Sequence, residues 1–253
     1  MPASRARPCY SSPSPAELER LDAAIFADTQ WEPAAVYAHL ERLKAAAAEG
    51  GIPIYTVTAG NLRDDVLAAR TQAQHFVTIP YYVRTASGER GKAKRQCTRD
   101  YKIRPIRRQV RALMKAAGAK VAEQWFGISL DEMGRMRTSD VGYLEHRYPL
   151  VDARLTRWDC QLWLAAHGWE APRSACIGCP FHSDHEWRQI KADPVEWADA
   201  VEADRAVRSG RQRNGDAYLH ASLVPLDEVD LSTPEDHGQL NLFEQECQGM
   251  CGL

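Results

Sequence analysis

Residues 21–58 read LDAAIFADTQWEPAAVYAHLERLKAAAAEGGIPIYTVT, and this stretch decides the fold. Leu21–Thr29 is a short apolar run that ends in Asp-Thr, which predicts a buried parallel strand with polar residues at its carboxyl end. Pro33 suits a first helical turn, so we expect a helix over Ala34–Glu49 that ends at a glycine pair. Ile52–Thr58 predicts a second strand. The order strand, helix, strand indicates an α/β domain with a parallel sheet.

The alternation continues along the chain. We expect helices over Asn61–Gln74, Ile106–Gly118, Thr156–Gly168, Asp184–Ile190 and Pro194–Arg208, an extended segment over Phe76–Val83, a charged loop over Arg84–Lys94 and a third strand over Val121–Ser129. The start of the chain is rich in Ser, Pro and Arg. We therefore predict a disordered segment over residues 1–20, an α/β domain over 21–180 and a helical C-terminal extension over 181–253 with a cysteine-containing tail.

Composition limits the class of protein. The 253 residues are 44% hydrophobic and 26% charged, which is typical of a soluble globular chain. The formal net charge of −2 argues against nucleic-acid binding over the whole surface, so any basic patch must be local. No apolar run approaches the roughly 18 residues of a membrane span, and the start lacks the apolar stretch of a secretory signal. We therefore expect a cytoplasmic protein without a membrane partner, whose seven cysteines are ligands or catalysts rather than disulfides.

A Cys-x-x-Cys motif, Cys176–Cys179, is the main chemical signal. Two thiolates at this spacing can bind one soft metal centre, although the same spacing also serves thiol redox chemistry. Cys97 lies in the most basic region of the chain and adds a third thiolate. Spacing alone allows an iron–sulfur cluster, free thiols, or a tetrahedral zinc with Cys160, His182 or His185 as a further ligand.

A cationic segment follows Cys97. Its basic residues include Lys102, Arg104, Arg107, Arg108 and Arg111. The four arginines recur at three- and four-residue spacing, which places them on one face of a helix. Guanidinium groups suit phosphate and sulfate oxygens, so we expect an anion site for a nucleotide or a nucleic-acid backbone. The alternative is a solvated surface face.

Two acids, Asp131 and Glu132, follow the predicted third strand, at an edge where ligands gather in open α/β sheets. They could hold a ribose, a metal ion or Arg135. The alternative is a favourable charge effect at the N-terminus of a helix.

Five segments, taken in order, resemble the phosphoadenylyl-sulfate (PAPS) and adenylyl-sulfate reductase family of the PP-loop ATP pyrophosphatase superfamily. They are Ala24–Thr29, Cys97–Pro105, Gly127–Glu132 with Arg135, Tyr148–Asp152, and Cys176–Cys179. These resemble, respectively, the strand ending in Phe-x-Asp-Thr, the Cys-Cys-x-x-x-Lys-Val-x-Pro segment, the Gly-x-Arg-x-Asp-Glu loop, the Asn-Pro-Leu segment and the second cysteine pair of the iron–sulfur members. The resemblance covers roughly residues 21–181.

The resemblance implies a Rossmann-like parallel sheet flanked by helices, of the PP-loop type and with its first strand lost. It implies that Asp28 and Thr29 border a pocket for ATP or PAPS, that Arg135 and the basic residues after Cys97 bind the anion, and that Asp131 and Glu132 are catalytic. The activity it implies is sulfonucleotide reduction, or sulfur transfer to an acceptor such as a nucleic acid.

The resemblance also implies a 4Fe-4S cluster bound by Cys97, Cys176 and Cys179. Cys160 supplies a fourth ligand, or one iron keeps an open position, as in related thiolation enzymes that hold a sulfur atom there. Cys247 matches the tail cysteine with which the reductases attack the sulfur of the sulfonucleotide. The alternatives for Cys247 are a cluster ligand or an idle thiol.

Two departures from the family pattern affect the predicted activity. The superfamily has a Gly-rich pyrophosphate loop before the first matched strand, whereas this sequence has no glycine before Gly50. Gln96-Cys97 stands where the iron–sulfur reductases have two cysteines. The alternative function is therefore a catalytically inactive, metal-stabilised module that binds nucleotides or nucleic acid.

Overall fold

The computed structural model describes residues 20–68, 79–85, 87–209, 216–232 and 236. The described chain divides into two compact units. The smaller unit comprises residues 20–22 and Ala112–Ala171, and the larger unit combines the described residues of Ala23–Arg111 with those from Pro172 onward.

The larger unit begins with the predicted strand, helix and strand. Strand β1 (Ala24–Asp28) and strand β2 (Ile54–Thr58) are parallel, with Ala24 opposite Ile54, and helix α1 (Ala34–Glu49) connects them. The helix has the predicted bounds, because Pro33 precedes its first turn and a glycine pair follows its last. Helix α2 (Leu62–Ala68) follows, and the rest of the predicted helix, residues 69–74, lies outside the described residues.

A second, antiparallel sheet replaces the predicted charged loop. Strand β3 (Tyr82–Arg84) pairs on one side with β4 (Arg90–Lys92) and on the other with β7 (Ala217–Tyr218). The Arg90 guanidinium and the Lys92 ammonium lie 5.7 and 5.3 Å from the centre of the Tyr82 ring. The charged residues of β4 therefore cover an aromatic side chain, and their charge misled the loop prediction.

The predicted basic helix starts earlier than expected. A π-helical segment, Thr98–Ile103, runs directly into helix α3 (Arg104–Ala117). Tyr101 in the π-helical segment is buried in the hydrophobic core of the larger unit.

Helices α6 (Asp184–Ala192) and α7 (Pro194–Ser209) belong to the larger unit and do not form a separate extension over residues 181–253. Helix α7 packs against α2 and α6, and its apolar residues join Leu62 and Trp187 in one core. The carboxylate of Asp204 on α7 is fully buried and accepts hydrogen bonds from the backbone N–H groups of Leu219 and Leu226. This contact attaches the chain around β7 to the helix.

In the smaller unit, strand β5 (Ala122–Trp125) is parallel to β6 (Leu144–Arg147). A 3-10 helix (Leu130–Arg135) and helices α4 (Pro149–Asp152) and α5 (Arg157–Ala166) complete the unit. Strand β6 was not predicted, because its sequence LEHR is short and mostly charged. Helix α5 was predicted, and its capping box, Thr156 with Asp159, fixes its first turn.

The described chain is thus a mixed α/β protein with short parallel sheets flanked by helices. The strands form three small sheets within the described ranges, where one continuous parallel sheet was expected. Among the helices that the structure describes, none has the length and apolar character needed to cross a membrane.

Candidate thiol site of the larger unit

The chain reverses its direction directly after β1, at the position of the candidate thiol site. Asp28 accepts hydrogen bonds from the Tyr37 hydroxyl at 2.9 Å and from the Gln30 N–H at 2.7 Å. Gln30 has a φ of 58°, a left-handed conformation that reverses the chain immediately after the strand. Thr29, the residue directly after the strand, is 1% exposed, so its hydroxyl lies in the interior of the protein.

The Cys176–Cys179 turn is fixed against Trp31. The Ile177 N–H donates to the Trp31 carbonyl at 2.8 Å, and the Cys179 N–H donates to the Cys176 carbonyl at 2.9 Å. The Trp31 indole N–H donates to Asp199 at 2.5 Å. The indole ring lies against Gly178, where an added Cβ would come within 2.1 Å of a ring carbon. The motif therefore requires glycine at this position.

Thr29, Glu32 and Cys176 form a buried polar cluster. The Thr29 hydroxyl donates to Glu32 Oε1 at 3.0 Å and lies 3.3 Å from the Cys176 sulfur. The Cys176 thiol donates to the same carboxylate oxygen at 3.6 Å, and the Lys102 ammonium lies 3.3 Å from it. Thr29 and Lys102 are predicted as binding residues from the sequence, whereas Glu32 is not. An acid between a predicted strand end and Pro33 was the available signal.

Lys102 interacts electrostatically with three of the four predicted cysteine ligands. Its charge acts on Cys97 and Cys176, and the charge of Cys179 acts on it in turn. Burial lowers the pKa of Lys102, but the negative charges of Cys176 and Glu32 outweigh burial, and the pKa is raised overall. The Lys102 ammonium and the Cys176 thiol thus contact the same oxygen of Glu32.

Burial favours the protonated form of the Cys97 and Cys176 thiols. Burial raises the pKa of Cys176 to about 12, with a further contribution from the charge of Glu32. Burial also raises the pKa of Cys97, against the opposing charges of Arg95 and Lys102. Metal binding, which requires thiolates, would therefore release protons here.

The donor set fits a thiophilic metal group, although its geometry is not preassembled. Cys97, Cys176 and Cys179 are not joined in disulfides, and Glu32 Oε2 is a buried oxygen without a hydrogen-bond partner among the described residues. Within the same described ranges, no three His, Cys, Asp or Glu residues are already arranged as a metal site. Rearrangement of these side chains would therefore have to accompany metal binding.

The two candidate zinc histidines have other contacts. His182 Nε2 lies 2.9 Å from the Cys176 carbonyl oxygen, and His185 Nε2 lies 3.1 Å from the Gln189 amide. His182 therefore supports the cysteine turn through its backbone.

No protein-family model, curated protein or solved structure matches this chain. The assignment of the site therefore depends on its own chemistry.

Two cavities accompany these features. One, of about 410 Å³ in the larger unit, is lined by Trp31, Glu32, Arg63, Ile177 and Asp199 among others, so it opens beside the polar cluster. The other, of about 870 Å³ in the smaller unit, includes Arg137, His146, Arg147 and Tyr148 in its lining. Sequence reasoning predicted neither cavity.

The predicted acids and the fourth cysteine belong to the smaller unit. Glu132 accepts a hydrogen bond from Arg135 at 2.6 Å, and Asp131 accepts one from the Arg157 N–H, at the start of α5, at 2.8 Å. Burial raises the pKa of Asp131, but this hydrogen bond and one from Ser129 outweigh burial and lower it overall. The contact with Arg157 fits the alternative of a helix-terminal charge for Asp131.

Cys160 has neighbours of its own within the smaller unit. Burial, and then the charges of Asp159 and Asp131, raise the pKa of this thiol. Cys247 lies outside the described residues.

The predicted anion site is partly neutralised. Arg104 pairs with Asp100 at 2.8 Å, and Arg99 binds the same carboxylate. Arg104, Arg108 and Arg111 are exposed, whereas Arg107 is half-buried. Nearer the cysteine turn, Lys92 and Arg95 lie 5.1 and 5.6 Å from the centre of the Phe181 ring.

Proposed function

We propose that the larger unit binds a 4Fe-4S cluster through Cys97, Cys176 and Cys179, and that the protein acts in sulfonucleotide reduction or sulfur transfer. The observation that carries the proposal is the Cys176–Cys179 turn beside the carboxyl end of β1, where the Cys176 thiol and the Lys102 ammonium contact the same Glu32 oxygen. Thiolate ligands and an anionic substrate both benefit from a nearby fixed positive charge.

Each residue of the site has a distinct task in this proposal. Lys102 stabilises the negative charge of the thiolates, and Thr29 orients both Cys176 and Glu32 through its hydroxyl. Trp31 holds the Cys176–Cys179 turn in one conformation. A bound cluster would supply redox-active iron and an attachment point for sulfur.

The fold supports a nucleotide substrate. Strands β1 and β2 with the α1 connection form the βαβ unit from which Rossmann-like sheets are built, and we assign the larger unit to that PP-loop type of fold. Ligands of such sheets bind at the carboxyl ends of the strands, where Asp28 and Thr29 lie. ATP or PAPS would then extend its anionic groups toward the arginines of α3.

The test starts with anaerobic purification. We expect a brown protein with iron, acid-labile sulfide and broad visible absorbance, and we expect Cys176→Ala to abolish all three. A colourless protein with one tightly held zinc, or with no metal at all, would refute the cluster. Sulfite release from PAPS or adenylyl sulfate, and pyrophosphate release from ATP, then separate reduction from ATP-dependent sulfur transfer.

A second candidate is a non-catalytic, metal-stabilised module that binds nucleotides or nucleic acid. The observation that favours it is the packing of Cys97 and Cys176 against the hydrophobic core, where a metal would stabilise the fold. This candidate predicts that chelation unfolds the larger unit, and that the protein binds ATP or single-stranded nucleic acid without releasing sulfite or pyrophosphate.

A further inference from the structure

Glu32 has an unusual hydrogen-bonding pattern. Its side chain is completely buried, and the polar contacts of its carboxylate with the described residues all involve Oε1. The Thr29 hydroxyl, the Lys102 ammonium and the Cys176 thiol lie 3.0, 3.3 and 3.6 Å from that oxygen. Oε2 is shielded from solvent and has no hydrogen-bond partner among the described residues. A buried carboxylate oxygen without a partner is costly, so this one calls for an explanation.

A metal ligand accounts for this asymmetry. Carboxylates that bind a metal through one oxygen are usually hydrogen-bonded as well, and such contacts orient the ligand. In Glu32, the contacts of Oε1 would orient the carboxylate, and Oε2 would be the oxygen that binds the metal. Because the Cys176 thiol contacts the same carboxylate, Glu32 lies beside one of the proposed cysteine ligands.

We propose that Glu32 is a ligand, through Oε2, of the metal group held by Cys97, Cys176 and Cys179. This inference rests on the proposed function, because it requires that the cysteines bind a metal. It supplies the ligand that is missing where Gln96 precedes Cys97. A carboxylate is a harder ligand than a thiolate, so the Glu32 position is the one at which we expect substrate sulfur to compete.

The rival explanation is that Glu32 only neutralises Lys102. The two roles predict different behaviour for Lys102→Met, which keeps the carboxylate and removes the ammonium. A counter-ion role predicts that Lys102→Met and Glu32→Gln alter metal binding alike. A ligand role predicts that only changes at Glu32 alter the type of ligand bound to the metal.

Titration with Co²⁺ under anaerobic conditions tests the proposal, because its absorption bands distinguish thiolate from oxygen ligands. The proteins are wild type, Glu32→Gln, Glu32→Cys and Lys102→Met, each first checked for folding by circular dichroism. We expect Glu32→Gln to weaken Co²⁺ binding at least about tenfold. We expect Glu32→Cys to bind Co²⁺ with the spectrum of an added thiolate, and Lys102→Met to keep the wild-type band positions.

The failures of the two proposals are distinguishable. Wild-type protein that binds neither Co²⁺ nor iron would remove the proposed function and, with it, this inference. Wild-type protein that binds Co²⁺, with band positions and affinity unchanged in Glu32→Gln, would overturn the role of Glu32 alone. The same holds if Glu32→Cys adds no thiolate band although the variant is folded.

Discussion

At the scale of single residues, the contact between Trp31 and Gly178 determines the shape of the cysteine turn. Trp31 is 3% exposed and is held by Asp199, so its ring cannot move aside cheaply. We expect Gly178→Ala to lower the free energy of unfolding by about 1–3 kcal/mol and to reduce iron content. Urea denaturation and iron analysis measure the two effects.

The matched control for Gly178→Ala is Gly127→Ala. Gly127 is exposed, has no heavy atom within 4 Å of an added Cβ and lies in the smaller unit. We expect a change within about 0.5 kcal/mol for this variant. Equal losses in both variants would show that Trp31 accommodates a methyl group.

Lys102 and Glu32 form the ion pair with the most deeply buried acid of the site. The Glu32 side chain is 0% exposed, whereas that of Lys102 is 31% exposed. Lys102→Met would leave a buried carboxylate without its counter-charge. We expect this variant to lower the free energy of unfolding by about 3 kcal/mol. Urea unfolding of the metal-free protein at neutral pH measures the loss.

Lys44 provides the comparison for Lys102. Its side chain is 37% exposed, close to that of Lys102, but its partner Glu41 is 71% exposed. We expect Lys44→Met to cost less than about 1 kcal/mol. A similar cost for both lysine variants would mean that the burial of Glu32 does not control the energy of the pair.

At the scale of secondary-structure elements, the start of α6 carries a pH-sensitive contact. Burial raises the pKa of Glu186, but the His182 side chain, Arg173 and the Ser183 backbone outweigh burial and lower it to about 2. A carboxyl group whose folded pKa lies below its unfolded value of 4.5 stabilises the fold above that value, and the effect disappears as the pH falls toward 2.

We therefore expect Glu186→Gln to flatten the acid side of the stability profile. The pKa difference corresponds to about 3 kcal/mol of stability near pH 6, most of it lost by pH 2. Urea unfolding at a series of pH values compares wild type with Glu186→Gln and with Glu49→Gln, an exposed carboxyl at the end of α1. If the profiles of wild type and Glu186→Gln run parallel, the contact is not formed in solution.

Helix α3 provides the test of anion binding. Arg104 and Arg108 are exposed on neighbouring turns, and each charge-assisted contact with an anion is worth about 1.5–3 kcal/mol. We expect Arg104→Ala/Arg108→Ala to weaken binding of ATP or of a short single-stranded oligonucleotide by about tenfold or more. Titrations at two salt concentrations measure the change, because affinity at a genuine anion site falls as salt rises.

The charge-matched control removes two cations from another helix. Arg42→Ala/Lys44→Ala on α1 changes the net charge by the same amount. Unchanged affinity in the α3 variant, or equal losses in both variants, would show that the α3 arginines form a solvated surface face and not an anion site.

At the scale of the whole molecule, the predicted cysteine ligands belong to two different compact units. Cys97, Cys176 and Cys179 belong to the larger unit, and Cys160 belongs to the smaller one, where Asp159 and Asp131 influence it. We expect Cys160→Ala to keep the iron content of wild type and Cys176→Ala to lose it. Iron loss in Cys160→Ala would identify that residue as a ligand after all.

The sequence predicts those parts of this molecule whose determinants are local. Helix α1 has its start signal, Pro33, and its stop signal, Gly50-Gly51, within its own segment, so its bounds were predicted correctly. Strand β6 and the π-helical segment carry no such signal, and their charged sequences resemble loop or ordinary helix.

Of the candidate site, only the Cys-x-x-Cys motif could be recognised from the sequence. The Cys176–Cys179 spacing is local, but Glu32 becomes informative through Cys176, which is 144 residues away. Its role depends on a contact and on burial that only the folded chain creates. The same holds for Lys102, which was noticed for its charge and not for its position among the thiols.

The hydrogen bond between Thr29 and Cys176 joins residues 147 positions apart, and this distance has a consequence for synthesis. At the usual 5–20 residues per second, a ribosome needs about 7–30 s to add the residues between them. During that time the nascent chain contains Thr29 and Glu32 but not yet the Cys176–Cys179 turn that contacts them. Insertion of the proposed cluster would therefore follow translation of Cys179, because Cys97 is synthesised well before Cys176 and Cys179.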